Sequence, residues 1–153
     1  MKDLHSGMNI VPVIVAALTA DNTPAAIDLR DYDGAEIVIG VGVGGITFSA
    51  TDKIEFKLTH ADDKADGSAP DGGDFTAVDL KDVLGVASVG TGGIVKALIA
   101  AHAAAAAYRV GYKGNKRWIK VLADFSGTHG AATPLGVVVV RGHGADNPQA
   151  NQI

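Results

Sequence analysis

Five aspartates, Asp62, Asp63, Asp66, Asp71 and Asp74, crowd one short stretch of this chain. Clustered carboxylates are the oxygen ligands that calcium takes. Read from Asp62, however, an EF-hand loop would put Lys64 at its third position and Gly73 where the bidentate glutamate belongs. That register fails, which leaves a looser calcium site or a solvated loop between Asp62 and Asp74. Gly40-Val41-Gly42-Val43-Gly44-Gly45 matches the spacing of a dinucleotide-binding turn. That chemistry requires a helix to start at the glycines, so that its first N–H groups meet the pyrophosphate. Ile46 to Ser49 and then Lys53 to Thr59 read as strand instead, so the glycines are expected to serve close packing and no cofactor is expected. The five histidines (His5, His60, His102, His129 and His143) form no H-x-H or H-E-x-x-H pair. No G-x-S-x-G elbow frames a nucleophile. Neither a catalytic residue nor a metal ligand is singled out, and the chain is expected not to be an enzyme.

The chemistry that does concentrate is charge beside aromatic rings. Arg109, Lys113, Lys116, Arg117 and Lys120 account for five of the 13 basic residues, and Tyr108, Tyr112 and Trp118 are interleaved with them. No acid interrupts this run from Ala105 to Ala123. Phosphate contact and base stacking could exploit it, but nucleic-acid binders are usually basic over the whole domain, and this chain carries a net charge of −4. Trp, Tyr and Arg are the usual anchors of protein interfaces. Tyr112, Lys113, Asn115, Lys116, Arg117 and Trp118 are therefore the candidate interface residues, and a solvated hairpin with Trp118 in the core is the plainer alternative.

The elements that must position these residues read as short strands. Met8–Leu18 is β-rich but holds Pro12, which suits an edge strand or an arm. Ala35, Ile37, Ile39, Val41 and Val43 share one face of a strand by the two-residue period, whose opposite face is nearly bare after Val38. Ile54, Phe56 and Leu58 alternate with Lys53, Glu55, Lys57 and Thr59. A further strand is expected where Val78 and Leu80 alternate with Asp79 and Lys81. Lys113-Gly114-Asn115-Lys116 reads as a tight turn between strands at Tyr108–Tyr112 and Arg117–Asp124. Leu135 to Arg141 contains four consecutive valines, so it is covered on both faces or stacks on a neighbouring subunit. Thr91 to Ala107, rich in alanine with Ile94, Leu98 and His102 at helical spacing, stays open between helix, strand and loop.

The whole is expected to be one all-β domain over 1–153, a jelly-roll-like sandwich with at most one short helix. Residues 1–9 form a possible arm and 145–153 a loose polar tail. Composition agrees with this: 15 of the 17 acids are aspartate, which favours turns over helix interiors, and only 5% of residues are aromatic. There is no cysteine, hence no disulfide or thiolate metal site. No apolar run is long enough to span a bilayer, so the chain is expected to be soluble.

Met1–His5, Asp33–Ile39 (DGAEIVI), Lys57–Asp63 (KLTHADD), Tyr108–Val121 (YRVGYKGNKRWIKV) and Pro134–His143 (PLGVVVVRGH) together resemble small head proteins of tailed bacteriophages. The likeness runs in order along most of the chain, departs from it at the long alanine-rich stretch Gly90–Ala107, and is most specific at Gly111–Val121. It implies a capsid decoration or cement protein with a jelly-roll-like sandwich, bound to the outer surface of the major capsid protein shell. It also implies a virion location after assembly in the host cytoplasm and a homo-oligomer, dimer or trimer. A carbohydrate- or host-surface-binding β-sandwich module is the alternative, since jelly rolls also serve as lectins.

Overall fold

The computed structural model describes residues 3–146 and 148–149. Ten strands follow in order: β1 (Met8–Leu18), β2 (Ile27–Asp28), β3 (Tyr32–Val41), β4 (Lys53–Ala61), β5 (Thr76–Ala77), β6 (Val83–Leu84), β7 (Ile94–Leu98), β8 (Ala106–Tyr112), β9 (Trp118–Ser126) and β10 (Thr133–Gly144). One antiparallel sheet runs β1-β10-β3-β8-β6, and the other runs β2-β9-β4, with β5 and β7 both pairing with β4. The long strands cross repeatedly between sheets, and the last, β10, lies between the first and third. That is the double Greek-key order of a jelly roll.

Alternation explains which side chains meet between the sheets. Ile37, Ile39 and Val41 of β3, Val137 and Val139 of β10, and Val110 of β8 face Ile54, Phe56 and Leu58 of β4 and Ile119, Val121 and Ala123 of β9 in one buried cluster. Phe56 is the largest fully buried side chain. The remaining volume is filled by branched aliphatics, as the scarcity of aromatic residues requires.

Two local readings change, and one left open is resolved. Val78 is buried as its alternation implies, but Val78–Lys81 is no strand: Asp79 and Asp82 form a reciprocal capping box around the 3-10 turn Leu80–Asp82, and Leu80 is exposed. Aspartates three residues apart outcompeted the ladder for backbone N–H groups. Val43 lies outside the core, 68% exposed, because β3 ends at Val41. Thr91–Ala107 holds no α-helix. It supplies β7, then a connection into β8.

The ends are tied to the sandwich. His5–Gly7 is a 3-10 turn leading into β1, which pairs along its length with β10. Ala145 N–H donates to the carbonyl of Asp31, and Gln149 N–H to that of Ser6. The rest of the expected arm and tail, residues 1–2, 147 and 150–153, lies outside the described residues. Among the described residues no helix is long and apolar enough to cross a membrane.

Candidate assembly surfaces

The turn between β8 and β9 is built from Tyr112 outward. Its ring is buried against Gly114, where a Cβ would fall 2.5 Å from the phenol oxygen. Only glycine lets the turn fold over the ring. The Tyr112 hydroxyl lies 3.0 Å from Nδ1 of buried His60, 3.3 Å from the Lys116 N–H that donates to it, and 3.4 Å from the Lys116 carbonyl. Burial pushes the phenol up to about 12 and holds the His60 imidazole below its ordinary value, the latter against the opposing pull of Asp82. Both groups are therefore neutral near pH 7.

The basic residues of the turn meet acids from distant parts of the chain. Arg117 forms a two-pronged pair with Asp28 (2.8 and 2.6 Å), and its Nη1 reaches both oxygens of Asp63 (2.9 and 2.7 Å). Asp28 raises the already high affinity of Arg117 for its proton. Asp63 also accepts from Trp118 Nε1 at 2.7 Å, and Lys116 Nζ lies 2.5 Å from Asp62. Bidentate guanidinium–carboxylate pairs of this kind fix geometry as well as charge. Of the six candidate interface residues, Tyr112 is buried, Lys116, Arg117 and Trp118 are half-buried and held from within, and Lys113 and Asn115 are exposed. The acidic loop is likewise closed on itself: Lys64 bonds to Asp71, Ser68 to Asp66, and Asp74 to the Asp71 N–H. Among the described residues no three His, Asp or Glu side chains are grouped to hold a metal ion.

A second surface is the outer face of the β1-β10-β3-β8 sheet. Its ladder reads in rows: Ile10–Val140–Glu36–Gly111, then Pro12–Val138–Val38–Arg109, then Val15–Gly136–Gly40–Ala107. A bulge between Pro12 and Ile14 switches the parity of β1, so that Ile14 points into the core and Val15 points out, 76% exposed. The four valines divide in the same way: Val137 and Val139 are fully buried, while Val138 and Val140 face outward. Leu84 of β6, 53% exposed, extends the first row beyond Gly111. These rows contain two charges, Glu36 and Arg109, 3.8 Å apart. Extended apolar faces on soluble domains mark interaction sites.

The sequence put Tyr112, Lys113 and Asn115–Trp118 forward as candidates but gave no sign of the acids, Asp28, Asp62 and Asp63, that hold three of them. It expected a valine run covered on both faces or stacked on a neighbour; within the chain only the Val137 and Val139 face is covered, and the bulge that brings Val15 onto the other face left no signal. No family model, curated protein or solved structure matches this chain.

Proposed function

We propose that the chain is a non-enzymatic structural protein of a phage virion that decorates or cements the capsid by binding the outer surface of the major capsid protein shell. The observation that carries this reading is the outer sheet face: a stable jelly roll leaves Val15, Val138, Val140 and Val38 directed away from its own core. A face of that composition suits assembly. At one end of the sandwich the β8–β9 turn, braced by the Arg117 network, presents Lys113 and Asn115 as a rigid polar contact for an acidic shell surface. Each such contact is weak, but a lattice repeats it, and linked copies multiply weak contacts into firm attachment.

The test is addition of purified protein to bare shells of the major capsid protein from the same phage. Co-sedimentation at micromolar concentration and a higher shell disruption temperature are expected, with Lys113→Glu weakening the binding. Absence of co-sedimentation, with the protein folded, overturns the reading.

A further inference from the structure

Gly136 occupies the interior of β10, paired with Val15 on one side and Gly40 on the other. Glycine weakens a strand interior and commonly marks a close approach by another backbone. Gly40 has such a reason within the chain, since a Cβ there would lie 3.2 Å from the Gly136 carbonyl oxygen. A Cβ on Gly136 would meet nothing within 4 Å, and its φ lies outside the left-handed region. The fold of one copy therefore has room for a side chain at this point on the outer face.

We propose that a second copy of this chain covers the outer face of the β1-β10-β3-β8 sheet, packed face to face about a two-fold axis. Charge selects this occupant. The face holds one acid and one base, Glu36 and Arg109, within an otherwise apolar field. A two-fold axis lying in the interface midway between them sets Glu36 against the partner subunit's Arg109 and Arg109 against the partner subunit's Glu36, so the patch complements itself. Glu36, Val38, Arg109 and Gly111 are the four corners of one cell of the β3–β8 ladder. The axis that exchanges two opposite corners passes over the other two, Val38 and Gly111. Val38 then meets its own copy, while Gly111 stays buried beneath Glu36 and Leu84 of its own chain.

The proposal assigns to a second copy the same outer face on which the capsid reading draws, and in such a dimer the β8–β9 turn is the surface left for the shell.

Light scattering on the eluting protein tests it. The wild type is expected at twice the 15.5 kDa chain mass. Gly136→Lys is expected at the monomer mass with an unchanged circular dichroism spectrum, because the added side chain has space in one copy. Glu36→Arg and Arg109→Glu are each expected to be monomers, since each sets like charges against one another, and mixing the two is expected to restore a dimer holding one chain of each kind. A monomeric or trimeric wild type at high micromolar concentration overturns the proposal. So does a Gly136→Lys dimer, a dimer of either single reversal, or a mixture that stays monomeric. A wild type that is monomeric yet still binds shells overturns this inference and leaves the capsid reading standing.

Discussion

Replacing Tyr112 with phenylalanine removes one oxygen atom and isolates what the phenol does for the β8–β9 turn. The ring remains, so its packing against Gly114 and its edge-on contact with His60 are retained. The bonds to His60 Nδ1 and the Lys116 N–H and carbonyl are lost. The Lys116 contacts, at 3.3 and 3.4 Å, are long and contribute little. The His60 bond, at 3.0 Å and well buried, carries most of the effect. Stranding a buried polar group costs about 1–3 kcal/mol. Because the imidazole keeps its ring contact, a loss of about 1.5 kcal/mol is expected, equivalent to about 3–6 °C in melting temperature for a domain of this size. Urea unfolding followed by Trp118 fluorescence reads the change, with an unaltered slope showing that the unfolded state is the same. A midpoint equal to that of the wild type refutes the reasoning, because the hydroxyl would then have no net role.

Three further outcomes follow from the same core and network. Because burial depresses the His60 pKa, the unfolded chain takes up a proton near pH 6.5 that the native state refuses, so stability falls as pH drops below that value, by at most about 1.4 kcal/mol per pH unit; thermal melts from pH 7.5 to 5 are expected to show a smaller fall for His60→Gln than for the wild type. Asp63→Ala removes the acceptor of the sole tryptophan's Nε1, and its fluorescence is expected to shift to the red as the acidic loop loosens from Arg117. Phe56→Ala empties the centre of the core and is expected to cost about 3–5 kcal/mol in a urea titration.

The sandwich was legible in the sequence wherever strands are regular, as in Lys53–Thr59, whose alternation survives intact in β4. It was obscured where strands are not. β7 pairs with β4 through a register shift between Phe56 and Lys57, which buries Val95 and Leu98 three positions apart and breaks the two-residue period, so Ile94, Leu98 and His102 stood out at helical spacing instead. The bulge in β1 hides the outward turn of Val15 in the same way. The basic turn looked like an unpaired patch because Asp28 and Asp63 lie 89 and 54 residues from Arg117, and long-range pairing leaves no local signature. Nor could the sequence separate the reason for Gly40, which a neighbouring carbonyl supplies, from that for Gly136.

The face-to-face assembly is tested most directly by chemistry at Val38. The chain has no cysteine, so Val38→Cys introduces a single thiol at the position through which the proposed axis passes. Facing sheets lie about 10 Å apart, within reach of a short bismaleimide, and rapid cross-linking to a dimer is expected. Ala69→Cys, on the exposed acidic loop, is expected to remain uncross-linked under the same conditions. Efficient cross-linking through position 69 with none through position 38 would contradict the account.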